Sequence, residues 1–313
     1  MPGRIFALLA AAVLVSGCGV TAHVIEQEYG GFNDTIHSSQ SQQMLLNLVR
    51  LRYRESPLFM KVGALSASYS MESNARAGKG SSFNWNVWSV DIGGRLATAP
   101  TITYTPIEGN TFSRQLMAEV EANTFVLLFR AGWPMRLLGS VLVESVGNLY
   151  NHDEDPTYAE FQDLIERLHL AQQRRAIDFI VEDKQMTVRI SESARDLFPE
   201  LTLGKLDGEL MEFRFRSLLD VMFFLAKNVE VPAGQQSWTR PATENGWLRV
   251  SATGGEPGDA VASVRYRGHY YSIAHSDIRS KDTFSLLKLL YEMQAGDIRS
   301  QGPVLTLPVA QPR

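Results

Sequence analysis

The run Val62-Gly63-Ala64-Leu65-Ser66-Ala67-Ser68-Tyr69-Ser70-Met71 sets this chain apart from an all-helical one. Leu65, Ala67, Tyr69 and Met71 alternate with Ser66, Ser68 and Ser70, and a period of two is that of a strand with one apolar and one polar face. A Gly/Ser/Lys turn follows at 77–82. Phe83, Trp85 and Val87 then alternate with Asn84 and Asn86, and Thr101-Ile102-Thr103-Tyr104 makes a third run after Pro100. Residues 60–104 therefore read as a β-hairpin or meander with a polar tip.

On either side the pattern changes. Before it, Ser38, Ser39 and Ser41 offer N-caps to a helix over 43–52, with Met44, Leu45, Leu48 and Leu51 on one face. Arg50, Arg52 and Arg54 read as a solvated or salt-bridged face. After it, 112–130 reads as helical. Residues 134–149 are open between a helix begun at Trp133-Pro134 and a buried strand over 140–146. Asp155-Pro156 is expected to open a helix, as N-cap and first helical residue. Two strands, 176–182 and 185–190, pair around Asp183-Lys184, and 210–215 is a further strand. Ser217 and Asp220 resemble a capping box opening a buried helix over 218–227. Strands are expected at 247–252 and 261–273, a helix at 283–294 and a short strand at 303–309.

Helices and strands without a βαβ rhythm predict an α+β fold, with mixed or antiparallel sheets, several amphipathic helices and the hairpin at 60–104. The polar loop 233–245 suggests a linker. The expected organisation is a signal peptide at 1–17, a lipidated N-terminus and tether at 18–37, an α+β domain at 38–232 that includes the hairpin, and a C-terminal α+β subdomain at 233–313.

The N-terminus addresses location. Arg4 precedes an uncharged run from Ile5 to Val15, the layout of a secretory signal, and too short for a bilayer-spanning helix. Val15-Ser16-Gly17-Cys18 resembles the lipobox of bacterial lipoproteins. That resemblance implies cleavage before Cys18, lipidation of Cys18 (palmitate among its acyl chains), and, with Gly19 rather than Asp next, delivery to the outer membrane with the body facing the periplasm. Cys18 is the chain's single cysteine, which excludes an intramolecular disulfide. Acyl chains at ~0.8 kcal/mol per buried CH₂ anchor durably when two or more are present.

Lys and Arg number 30 against 34 Asp and Glu, giving a net charge of −4 without a polybasic block. Nucleic acid is therefore not an expected partner. The runs 41–53 (Ser41-Gln42-Gln43-Met44 through Tyr53), 100–106 (Pro100 through Pro106) and 280–287 (Ser280 through Leu287) resemble a family of uncharacterised bacterial envelope lipoproteins, which implies export and fold but no chemistry.

No catalytic signature is complete. Val143-Glu144-Ser145-Val146-Gly147 lacks the first glycine of a nucleophile elbow. Ala77-Gly78-Lys79-Gly80-Ser81 lacks the spacing of a phosphate loop. The acidic run His152-Asp153-Glu154-Asp155 lacks calcium-loop spacing. No cofactor and no metal is expected. The densest polar segment runs from His269 to Asp277, with His275 and Asp277 on one side if the strand continues; a helix cap is the plainer reading of Asp277. Trp85 and Trp88 offer aromatic faces to a ligand or partner. The expectation is a lipid-anchored, non-catalytic scaffold or interaction module, with an envelope protein partner or self-association. One alternative is a subunit of an oligomeric outer-membrane pore or export complex using 61–104. The other is an envelope hydrolase.

Overall fold

A computed structural model describes residues 33–82, 85–106, 110–182, 185–198, 212–239 and 246–296. Cys18, the lipobox and the strand expected at 303–309 lie outside the described residues. The fold is α+β, and among the described residues every strand pairing is antiparallel apart from one isolated bridge, Val229 with Val250.

By their contacts the described residues fall into two units. One holds everything up to Pro57 and from Asn110 onward; the other holds Leu58 through Pro106. The second unit is a ribbon of β1 (Met60–Ser82) and β2 (Trp85–Pro106). The two strands keep one register from Ser82↔Trp85 to Ala64↔Thr103, with a bulge between Val62 and Ala64.

The first unit starts with α1, helical over residues 33–52. Met44, Leu45, Leu48 and Leu51 are buried along one face, as their spacing requires. The helix reaches back into residues assigned above to the tether. Arg52 is also buried, not solvated, and its Nε donates to Val229 O at 3.0 Å.

The stretch 112–130 is two helices, α2 (Asn110–Met117) and α3 (Ala122–Arg130). The break is held by Val120 N donating to Arg216 O at 3.1 Å, a tertiary bond that helical periodicity does not reveal. Residues 134–149 resolve into both open alternatives in turn. Pro134 caps α4 (Met135–Leu142), which runs straight into β3 (Val143–Val146), followed by β4 (Leu149–Tyr150).

Helix α5 (Tyr158–Gln173) begins later than Asp155-Pro156 implied. Asp155 Oδ1 accepts from Thr157 N at 2.8 Å and from Thr157 Oγ1 at 2.6 Å, so Asp155 folds the turn before the helix and Thr157 takes the cap position. Helices α4 and α5 approach closely at Gly139, where a Cβ would lie 2.7 Å from Ile165 Cδ1. Strands β5 (Ile177–Glu182) and β6 (Gln185–Ile190) pair as expected. β7 (Phe213–Phe215) joins β3 and β4 in a sheet ordered β4-β3-β7. Phe125 and Phe129 of α3 meet Phe179, each edge to face, at ring centroids of 5.4 and 4.8 Å.

The capping box forms: Ser217 Oγ accepts from Asp220 N, and Asp220 Oδ2 accepts from Ser217 N, opening α6 (Leu218–Ala226). The segment 261–273, expected as one strand, is a hairpin of β9 (Ala260–Tyr266) and β10 (His269–Ala274). Its turn is Arg267-Gly268, with φ of +46° and +83°, the left-handed pair that a two-residue turn of this kind needs. β8 (Ser251–Thr253) completes the sheet on the other side of β10, and α7 (Ile278–Gly296) follows. Of the C-terminal subdomain expected at 233–313, the described helix α7 packs on α6 and α2 within the first unit. No helix among the described residues is long and apolar enough to cross a membrane.

Candidate functional site

A concavity of the first unit is assembled from four separated places in the sequence. Arg52 closes α1. Lys227 to Val231 leave the end of α6, anchored by Glu230 N donating to Val250 O at 2.9 Å. Gly246, Leu248 and Arg249 approach β8, and Ser276, Asp277 and Arg279 open α7. Together they line a cavity of about 970 Å³.

Its charge is uneven. Arg52, Lys227, Arg249 and Arg279 face Glu230 and Asp277. Both carboxylates already have backbone partners. Glu230 Oε2 accepts from Ala252 N at 3.0 Å, and Asp277 Oδ1 accepts from Ser280 N at 3.1 Å. Ser280 Oγ donates to Asp277 Oδ2 at 2.7 Å and accepts from Arg249 N at 2.8 Å. Burial pushes the Asp277 carboxyl up. The Ser280 bonds, with Arg249 and Arg279 nearby, outweigh it and hold the group below the usual carboxylate range. Burial lowers Arg52 from its ordinary value. Arg279 lies over the Trp247 ring at 5.6 Å. With four cationic side chains against two carboxylates in its lining, the hollow is electropositive and suited to an anionic group.

Two further polar clusters hold the unit together. Tyr53, just past α1, shares a hydrogen bond with Tyr271 Oη at 2.7 Å and donates to Gln235 Oε1 at 2.5 Å. Beside it, Tyr266 Oη donates to Glu55 Oε1 at 2.5 Å and Arg267 Nη2 donates to the same oxygen at 2.8 Å. The Tyr266 bond and then the Arg267 bond hold the Glu55 carboxyl below its ordinary value. Elsewhere, buried Arg216 donates through Nη1 to Ser140 O and Val141 O, at 3.1 and 3.0 Å, and through Nη2 to Asn151 O at 2.7 Å. Asn151 Nδ2 supplies Ser140 O and Val143 O at 2.9 and 2.7 Å. Carbonyls at the end of α4 are thereby satisfied by side chains. Burial pushes Arg216 down to about 10, which leaves it charged at neutral pH.

Neither protein-family models, nor curated proteins, nor solved structures match this chain. The roles of its residues are read from their own geometry.

Of the residues nominated from sequence, Asp277 lines the cavity as the cap of α7. His275 is exposed one residue beyond β10, in the turn that leads into α7. His269 sits at the hairpin turn, at the other end of β10. Trp85 and Trp88 lie on β2, paired with Ser82 and Lys79, and fall on opposite faces of the ribbon. Among the described residues no group of three or more His, Cys, Asp or Glu is placed to hold a metal ion. Sequence reading missed Arg52, Lys227, Arg249 and Arg279 as a group, and it contains no signal for them, since nothing in their spacing brings four distant cations together.

Proposed function

We propose that this protein is a lipid-anchored envelope lipoprotein, held at the outer membrane by acylated Cys18 with its body in the periplasm, that works without catalysis by assembling with copies of itself. The lipobox and the resemblance to envelope lipoproteins support the anchor. One observation carries the assembly: β1 and β2 form a ribbon with no third strand paired to either edge among the described residues. An isolated two-stranded hairpin is marginal in water, and long open edges are templates for further pairing. Asp277, the strongest nominee for chemistry, is already committed to capping α7.

The test is the mass of the full-length lipidated protein in mild detergent, by size-exclusion chromatography with light scattering. A discrete assembly is expected, reduced to monomer when residues 64–103 are replaced by a short turn. A monomer in both forms would overturn the proposal, as would a hydrolase activity abolished by changing one polar side chain.

A further inference from the structure

The register of the ribbon assigns every residue of β1 and β2 to a face, because residues directly opposite in an antiparallel pair share one. On one face the rungs run Leu65↔Ile102, Ala67↔Pro100, Tyr69↔Thr98, Met71↔Leu96, Ser73↔Gly94, Ala75↔Ile92 and Ala77↔Val90. On the other they run Ser66↔Thr101, Ser68↔Ala99, Ser70↔Ala97, Glu72↔Arg95, Asn74↔Gly93, Arg76↔Asp91 and Gly78↔Ser89. Over these seven rungs the first face carries no charge. The second carries all four charges of the stretch, and the register sets each acid opposite a base.

From β1 alone the apolar phase is visible only as far as Met71. In β2 it switches between Val87 and Trp88, which from sequence looks like a break within a strand. Pairing places that switch beyond the Ala77↔Val90 rung, at the tip, so the apolar face is continuous through both strands. It is bounded by an aromatic at each end. Trp88 stands opposite Lys79, and Tyr104 stands opposite Val62.

The dimensions match a bilayer. At about 3.3 Å per residue, Leu65 to Ala77 extends about 40 Å. Tilted by about 40°, as barrel strands are, it rises about 30 Å, the thickness of the hydrocarbon core. An uncharged face of that length, aromatic at both margins and backed by a polar face, is the pattern of a transmembrane β-strand pair.

We infer that the β1–β2 hairpin spans the outer membrane, and that copies of this chain each donate one hairpin to a closed barrel whose polar face lines an aqueous lumen. This rests on the anchored, self-assembling reading above and gives it a location. Closure follows from the edges: backbone groups unpaired in hydrocarbon are too costly for an open two-stranded ribbon to persist there. The occupant of each edge is a second copy. Strand lengths then match automatically, β1 beside a neighbour's β2 continues the antiparallel order, and β1 brings Glu72 and Arg76 where β2 brings Arg95 and Asp91. Two strands per copy give an even strand number.

The experiment uses the full-length lipidated protein in phosphatidylethanolamine–phosphatidylglycerol vesicles. Because Cys18 is the only cysteine and its thiol carries lipid, each introduced cysteine takes an environment-sensitive fluorophore uniquely. Ala67→Cys, Ala75→Cys and Ala77→Cys probe one face; Ser68→Cys, Ser70→Cys and Asn74→Cys probe the other. The expected result alternates along the strand. The first set is quenched by nitroxide lipids roughly twofold or more over the second, and iodide quenches only the second. Iodide quenching of both sets, with the protein still sedimenting with vesicles and oligomeric, overturns the barrel while leaving the anchored assembly standing. Loss of vesicle association and of acyl mass on Cys18 overturns both. A second readout needs no labelling. In planar bilayers, Glu72→Gln with Asp91→Asn leaves Arg76 and Arg95 on the polar face and shifts the reversal potential toward anion selectivity. A conducting assembly whose selectivity does not move overturns the lumen assignment.

Discussion

The two units of this molecule are stabilised in different ways. The first buries its own apolar surface: Leu45, Leu48, Phe125, Phe161, Phe179, Leu138 and Phe284 are almost wholly inside, and the buried Arg216 guanidinium donates to three carbonyls of the same unit. The hairpin has a long ladder, one apolar face and two edges, and a two-stranded sheet contains no second layer to cover that face. The first unit is therefore complete at the level of one chain. On the proposal made above, a membrane and neighbouring copies complete the hairpin. Substitutions in one should leave the other's behaviour untouched.

The largest effect is expected in the first unit. Arg216→Met removes the guanidinium donors to Val141 O and Asn151 O, leaves Ser140 O with Asn151 Nδ2 alone, and should cost about 3 kcal/mol of unfolding free energy by denaturant titration. The mass of the assembly should stay the same wherever the protein remains folded. Gly139→Val drives a side chain into Ile165, already 2.7 Å from a bare Cβ, and should cost about 2 kcal/mol, again with unchanged mass.

In the hairpin the order reverses. Glu72→Arg puts like charges opposite each other at Arg95, worth up to about 1 kcal/mol against the pairing. It should loosen the assembly seen by light scattering and leave the melting of the first unit unchanged, and adding Arg95→Glu should restore the mass. A parallel loss of stability in both units would break the division between them.

The smallest expected effect concerns acid. The Glu55 carboxyl is lower in the folded protein than its ordinary 4.5, through Tyr266 first and Arg267 second. Its contribution is full above 4.5 and disappears as pH falls through the lowered folded value. Glu55→Gln should therefore melt with a shallower acid limb below pH 4.5, with the wild-type slope above it.

How much was legible in the sequence follows the same division. Local signals read well. The period-two run from Leu65, the Ser217–Asp220 capping box and the 176–190 strand pair all appear where their patterns put them, because each is decided by neighbours in sequence. Signals settled by distant partners did not read. The break between α2 and α3 depends on Arg216 O, the late start of α5 on how Asp155 spends its carboxylate, and the β9–β10 turn on a left-handed Arg267 that β propensity hides. Of the candidate site, Asp277 was visible as a cap. The cavity's four cations come from α1, the end of α6, the approach to β8 and α7, and only the fold unites them. The two faces of the hairpin needed the register, since β2 read alone changes phase at Val87.

Amide hydrogen exchange resolved to single residues in β1 and β2 tests the central claim most directly. It would compare the lipidated protein in vesicles with a lipid-free Cys18→Ser form kept monomeric by dilution. In the monomer, amides that cross the β1–β2 ladder should be slower to exchange than those on the outer edges, while the first unit is protected to the same degree in both samples. In vesicles, the outer-edge amides from 65 to 77 and from 90 to 102 should become as slow as the ladder. Outer-edge amides that exchange equally fast in both samples would contradict the account.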